Sequence, residues 1–426
     1  MNAGERSPAM QALLERLQQL DGDGSAAPML PPECYTSPEF FDFEREAVFA
    51  RSWLCVGRAE QIPNPGDYLA VSMAGEPLLV VRTQDGSVRA MSAVCQHRGQ
   101  VLTCTSGSAR TFRCPLHFWS YDLNGRLIGA PRMGSAEELN HLRKTVRLPA
   151  VKHEIWHGFV FVNLDAGAAP LAPSLAKLEP FWAHYEEADL VAVPPVPADK
   201  TLPWNWKLHF ENFTDAYHPE FVHRGTHDFA PSVHPEGGVQ FTPMSATDNA
   251  IVRTVPLVKA DGGMMRDGWG ENAAFPPIET LAPEQRRRLV FAMIPPGMTI
   301  VFAPNAVAYQ LVTAVSAEGT MAANDRVTGG GWIVPRSTLA LADFPERAAA
   351  VREGGSKIWA QDVPINLSMQ AGKRSRFMPG GTYGPLETTL LQFNAWLLRT
   401  YRSALSAAPR APASNAVHAA QIAMRR

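Results

Sequence analysis

Apolar positions change their spacing along this chain, and each change predicts a different kind of element. Met10 to Leu20 (MQALLERLQQL) places apolar side chains at helical intervals, which predicts a short amphipathic helix, and a Gly, Ala and Pro segment follows to Pro32. From Gly66 the period falls to two. Tyr68 to Val71, Pro77 to Arg82 and Val88 to Val94 alternate in strand fashion, and Ala74-Gly75-Glu76 and Asp85-Gly86 have the composition of tight turns. A small antiparallel β domain is expected over 41–165, closed by the Ala/Pro-rich linker Ala166 to Pro173.

The remainder, to residue 406, mixes both periods. Trp206 to His223 reads as a helical block, and Leu386, Leu390, Phe393, Leu397 and Tyr401 form one stripe of a final helix, beyond which the tail 407–426 is expected to fray. Leu289 to Ala317 carries no charge and is long enough to cross a bilayer, but Pro295-Pro296-Gly297 and Pro304-Asn305 cut it into three strand-length pieces. Met298 to Phe302 and Leu311 to Val315 have the β-branched content of buried strands, so a core sheet is expected and a membrane span is not.

Composition narrows the function classes. With 426 residues the chain is long enough for two or three domains and a sizeable core. Its 39 Lys+Arg and 41 Asp+Glu give a net charge of −2 without a run of like charge, which argues against a nucleic-acid partner. The first residues, with Glu5 and Pro8, lack the basic and apolar regions of an export signal. Five cysteines, an odd number, then suit a cytoplasmic protein in which clustered Cys and His bind metal.

Two such clusters stand out. Cys95-Gln-His97-Arg98-Gly99 and Cys114-Pro115-Leu116-His117 each supply one sulfur and one imidazole. A single zinc more often takes its cysteines from one side and its histidines from the other; interleaved pairs suit a dinuclear centre, with two thiolates on one iron and two imidazoles on its neighbour. Cys34, Cys55 and Cys104 read as packing thiols. The second cluster is in the helical block. Asp215 and His218, three apart, share one side of a helix, so the carboxylate can accept the imidazole N–H. His218 and His223 would diverge by roughly 140° on an unbroken helix. Pro219 is expected to break it, letting both rings aim at one point, and two histidines with a carboxylate form the facial triad of non-heme Fe(II) oxygenases. A satisfied core pair is the alternative reading of the same two histidines.

The first cluster, with Phe118-Trp119-Ser120-Tyr121-Asp122-Leu123-Asn124-Gly125 behind it, resembles the Rieske [2Fe–2S] motif of ring-hydroxylating oxygenases; the extra loop cysteines of respiratory Rieske proteins are absent. Glu211-Asn212-Phe213, then Asp215-Ala216-Tyr217-His218, then His223, is similar to the catalytic signature of the α subunits of that family. The resemblance implies an α+β chain: a small antiparallel Rieske domain, and a larger catalytic domain whose antiparallel sheet is flanked by helices in a helix-grip, START-like arrangement, with 1–40 packed on it. It implies a [2Fe–2S] cluster on Cys95, His97, Cys114 and His117, and a mononuclear Fe(2+) on His218, His223 and an Asp near the C-terminus. Gln361-Asp362, shortly before Gln370-Ala371-Gly372, makes Asp362 that ligand, with Asp343 and Glu353 as competitors. Asp215 would bridge His218 to His117 of the partner subunit in a head-to-tail homotrimer. His209 and His227 are read as packing or solvent residues.

The expected activity is that of a terminal oxygenase using O2 to hydroxylate or dihydroxylate a small, aromatic substrate. The runner-up is a monooxygenase that N-demethylates a betaine-like compound. A Rieske electron carrier fused to an idle binding domain is the reading from another class. Because the chain has no Gly-x-Gly-x-x-Gly after a strand, NAD(P)H oxidation is expected to fall to a separate reductase or ferredoxin system.

Overall fold

The computed structural model describes residues 6–20, 29–193, 201–226, 228–233, 237–258, 274–323, 331–378 and 380–406. The backbone divides into two compact units, Arg45–Ala169 with the chain from Ala404 on, and Met1–Glu44 with Pro170–Ser403. Helices and antiparallel sheets occur together, so the chain is α+β. The expected tail 407–426 lies outside the described residues.

The smaller unit is built on an antiparallel sheet with strand order Leu54–Arg58, Phe159–Asn163, Ala150–Trp156, Val88–Ser92, Glu76–Arg82, Asp67–Met73 and Gly107–Ser108. Its first and last strands in chain order pair, Leu54 opposite Val162, so the chain enters and leaves on neighbouring strands. Phe112–Arg113, Ser120–Tyr121 and Leu127–Gly129 make a second small sheet. Leu79, Val81, Met91, Trp119, Tyr121 and Leu127 fill the core, in one cluster with Cys95 and Cys114. The Ala136–Thr145 helix, capped by Ser135 and Glu138, has no buried residue, so no apolar period announces it in the sequence.

In the larger unit the uncharged stretch forms three adjacent strands, Arg288–Ile294, Met298–Ala303 and Ala306–Ser316, with Val290 opposite Phe302 and Phe302 opposite Val307. The turns fall at the two proline interruptions. Ile251–Pro256 and Gln240–Phe241 extend this sheet on one side, and Gly331–Pro335 and Leu190–Val193 on the other. Beyond Arg288 the first two of the three strands are buried throughout, which accounts for their lack of charge. Among the described residues no helix is long and apolar enough to cross a membrane.

Two expectations shift, and one long helix is found that no sequence pattern predicts. Phe41 to Glu44 end a helix, Pro38–Glu44, of the larger unit, and do not open the β domain. The helical block stops at Thr214, four residues before the position of the expected break at His218-Pro219, and Pro219 instead begins a short helix, Pro219–Val222; proline is well suited to a first helical position. Tyr217 therefore leaves the apolar stripe and is half exposed. Finally, the stretch around Asp362 belongs to a long helix, Phe344–Gly372, with Pro364 inside it.

One buried ion pair fixes the Trp206–Thr214 helix. Lys207 and Glu44 are fully buried, 2.8 and 2.9 Å apart, and Glu44 also accepts from Trp206 Nε1 (3.1 Å) and Tyr401 Oη (2.6 Å). Every lone pair of the carboxylate faces a donor, which offsets its desolvation. Replacing Glu44→Ala would strand the Lys207 charge, so we expect a loss of about 3–5 kcal/mol, measured as a lower urea midpoint by tryptophan fluorescence; an unchanged midpoint would refute this account.

Candidate metal centres

The two Cys/His loops lie in the smaller unit and are held by their own backbones. Cys95 N–H donates to Gln100 O (2.8 Å) and Gly99 N–H to Cys95 O (3.1 Å), a turn that requires the positive φ of 79° at Gly99. In the other loop Cys114 N–H donates to Trp119 O (2.8 Å) and Phe118 N–H to Cys114 O (3.0 Å). Both cysteines point into the core, whereas His97 is half-buried and His117 exposed. The two imidazoles face each other at 4.8 Å between ring centroids, and His97 stacks on Trp119 at 4.7 Å. Sulfurs inside and imidazoles outside is the polarity that a two-iron centre with unlike ligands calls for.

Among the described residues one group of three possible metal-ligand atoms lies within 4.8 Å of one another, on His218, His223 and Asp362. Tyr121 Oη lies 3.3 Å from Cys95 Sγ and accepts from Gln96 N–H (3.0 Å), which leaves its own proton for the sulfur. Burial raises the Cys95 thiol, and it lowers His97, helped by the neighbouring His117 and Arg98. Cys34 and Cys55 are buried, which pushes Cys55 up to about 12, as expected of packing thiols; Cys104 is exposed and does not pack.

The second centre is assembled in the larger unit by two chain segments. Asn205 caps the Trp206–Thr214 helix through Lys207 N–H, and the helix ends when Asp215 turns extended, its N–H still donating to Glu211 O at 2.9 Å. The Asp215 carboxylate then accepts from Tyr217 N (2.7 Å), His218 N (3.3 Å) and His218 Nδ1 (3.0 Å). Burial works against its charge, but the His218 ring and these N–H groups outweigh burial and hold the carboxyl below its ordinary range. His218 and His223 flank the short Pro219–Val222 helix, and their Nε2 atoms meet at 3.3 Å. Asp362 Oδ1, from the long helix, lies 3.1 Å from His223 Nε2 and 3.7 Å from His218 Nε2.

Each of these three groups is oriented from behind. His218 Nδ1 donates to Asp215, His223 Nδ1 donates to Gln361 Oε1 at 3.0 Å, and Asn212 Nδ2 donates to Asp362 Oδ1 at 3.1 Å. Thr226 Oγ1 adds a 2.9 Å bond that holds Gln361. With both Nδ1 protons engaged, both Nε2 lone pairs face the common point, which is how a divalent cation's ligands are prepared. The pairing of Asp215 with His218 and the meeting of His218, His223 and Asp362 follow the sequence reading. Asn212, Gln361 and Thr226 were not singled out there, although Gln361 adjoins Asp362. Asp343 and Glu353 are engaged elsewhere, with Arg347 and Lys357.

A cavity of about 840 Å³, open mouth included, reaches this point. Phe213, Phe291, Val301, Ala308, Ile358 and Trp359 make its apolar walls. His209 also faces it, with Nε2 2.8 Å from Gln310 Oε1 and a buried Nδ1 that has no partner; burial lowers its pKa, which keeps it neutral. It is a cavity wall residue and not part of the ligand group, and His227 lies outside the described residues.

Residues 52–147 match the Rieske [2Fe-2S] domain, and residues 182–403 match the family of ring hydroxylating alpha subunits, catalytic domain. Over 195 residues the chain is 35% identical to the benzene 1,2-dioxygenase subunit alpha of Pseudomonas putida, a match that covers 44% of this chain and 43% of that one. It is 33% identical over 210 residues to the carnitine monooxygenase oxygenase subunit of Acinetobacter pittii, covering 48% of this chain and 54% of that one. The chain thus spans about half the length of the curated relatives it matches. The solved structure of naphthalene 1,2-dioxygenase from Rhodococcus sp. bound to indole aligns with a TM-score of 0.72 at 20% identity, covering 95% of this chain and 100% of that one. That of a quaternary ammonium Rieske monooxygenase with L-carnitine aligns at 0.67 and 21%, covering 90% and 98%. At these identities the likeness is one of fold.

The supporting shell gives a direct test. Gln361→Ala frees the His223 ring while leaving all three ligand atoms in place, and we expect Fe(II) affinity to fall roughly 10- to 100-fold, read by anaerobic titration against a chelator.

Proposed function

Since the chain belongs to the family of ring-hydroxylating α subunits, with a Rieske [2Fe–2S] domain ahead of its catalytic domain, we propose that it is the terminal oxygenase of a multicomponent system that hydroxylates or dihydroxylates a small aromatic substrate. The observation that supports this reading best is the convergence of His218, His223 and Asp362 on one point at the wall of an apolar cavity. In this reading Cys95, His97, Cys114 and His117 hold the cluster, in the smaller unit, and His218, His223 and Asp362 hold a mononuclear Fe(2+) in the larger one. Both donor sets fit these groups: soft sulfur and imidazole for the cluster, two imidazoles and a carboxylate with open positions for the iron. Once bound, the cluster supplies single electrons and the iron activates dioxygen.

The protein's own residues do the positioning. Asp215 and Gln361 hold the Nδ1 protons of His218 and His223, and Asn212 holds Asp362, so the ligand atoms need no rearrangement as the charge at the centre changes. The walls formed by Phe213, Phe291, Val301 and Trp359 exclude water and offer flat apolar faces to an aromatic ring. Asp215 is, in the assembly we propose, the residue that joins His218 to His117 of the partner subunit within a head-to-tail homotrimer. Electrons come from a separate NAD(P)H-dependent reductase or ferredoxin. A cytoplasmic location goes with this dependence on soluble reductants.

A second reading, monooxygenation of an N-methyl or betaine-like substrate on the same machinery, draws on the likeness to the carnitine monooxygenase oxygenase subunit. Both readings are tested by anaerobic reconstitution with a surrogate reductase, then O2 uptake coupled to product over aromatic acids, arenes and betaines. His218→Ala and Asp362→Ala should abolish product while the visible spectrum of the cluster persists. Undiminished product from Asp362→Ala would sink the proposal and favour an electron carrier with an idle second domain.

A further inference from the structure

One side chain in the cavity wall is unlike its neighbours. Arg253, on the strand Ile251–Pro256 and opposite Phe291 in register, is only 3% exposed. Its guanidinium lies 4.0 Å from the Phe291 ring centroid and makes one long hydrogen bond, 3.4 Å, from Nη2 to Phe213 O. Its Nε has no partner, and among the described residues no carboxylate comes within 4.0 Å of it. Burial lowers its pKa to about 10, eased by the more distant Asp215, so it is a cation at neutral pH. Lys207, a fully buried cation of the same unit, has Glu44 at 2.8 Å. A guanidinium has five N–H donors in a fork that matches a carboxylate, and a ring face alone compensates little of its desolvation.

Arg253 shares the cavity with His218, His223 and Asp362, so whatever completes it reaches the reacting end of the site. A neutral arene would leave the guanidinium buried and unpaired, and a cation without an acid group would be repelled. We propose that Arg253 anchors an anionic group of the substrate, which is therefore a small organic acid: its carboxylate pairs with Arg253 and its apolar body lies against Phe213, Phe291 and Trp359. This inference rests on the oxygenase reading for the fate of the bound acid, though not for its binding.

The test is calorimetric titration of the holoenzyme, both centres loaded, with benzoate, glycine betaine, benzamide and toluene. One of the two acids should bind at least about tenfold more tightly than benzamide, the scale of one charge-assisted bidentate pair, and which acid does so separates an aromatic from a betaine-like substrate. Arg253→Gln should abolish that preference, Arg253→Lys should retain part of it, and benzamide affinity should change less than about twofold. Equal binding of acid and amide by the wild type, no binding by either acid, or a loss in Arg253→Gln that is the same for charged and neutral probes would overturn the assignment, the last pointing to a structural pillar. The cluster spectrum and the urea midpoint report folding of both variants. Acid binding through Arg253 without any O2-dependent product would overturn the oxygenase reading and leave the anchor standing; turnover of neutral arenes unaffected by Arg253→Gln would do the reverse.

Discussion

The Asp215 carboxylate accepts hydrogen bonds from Tyr217 N, His218 N and His218 Nδ1, and the placement of the second centre depends on that one group. Two of these bonds turn the backbone out of the Trp206–Thr214 helix, and the third sets the ring of the first residue after the turn. The same atoms therefore decide where the chain goes and which nitrogen His218 presents. Pro219 then starts a helix short enough to return His223 to the same point, with His223 N–H donating to Pro219 O at 3.0 Å. An uninterrupted helix would have sent the two rings apart.

The Asp362 carboxylate is held by a different device. Asp362, Asn366 and Gln370 are four residues apart and all buried on the long helix, so they form a polar line inside the larger unit. At one end Asn212 meets Asp362; at the other, Gln370 Oε1 accepts from Asn205 N (2.8 Å) and its Nε2 donates to Tyr35 O (3.2 Å). The long helix is thus tied to both ends of the Trp206–Thr214 helix by polar contacts that have few other solutions in a dry interior. Such contacts fix register more sharply than apolar packing does.

Much of this was legible in the chain. The three central strands were delimited by Pro295-Pro296-Gly297 and Pro304-Asn305, because proline and glycine interrupt strands whatever their surroundings. The Cys95/His97 and Cys114/His117 pairs and the Asp215, His218, His223 spacing were readable because ligands must be chemically specific residues. The end of the Trp206–Thr214 helix was not, since Asp215 stops it by a side-chain contact that competes with the helix and leaves no mark in apolar period. The helix carrying Asp362 was hidden by Gly354, Gly355, Pro364 and its buried polar line, which together erase a 3.6-residue pattern. Asn212, Gln361 and Thr226 look like ordinary polar residues until the rings they hold are in place. Cys104 shows the converse: residue type suggested burial, and its loop leaves it exposed.

The smaller unit interrupts the larger one in sequence, leaving at Glu44 and returning at Pro170. Glu44 is separated from Lys207 by 163 positions and from Tyr401 by 357. On a ribosome adding about 5–20 residues per second, Glu44 waits on the order of ten to thirty seconds for its cation, and longer for the tyrosine. During that interval the whole Arg45–Ala169 unit, whose ends lie on paired strands, has been synthesised and is free to fold as a module. The order of synthesis is then set by connectivity: the cysteine and histidine loops are made before the segment that ends in Asp215, and the meeting of His218, His223 and Asp362 is completed only when the long helix Phe344–Gly372 has been made.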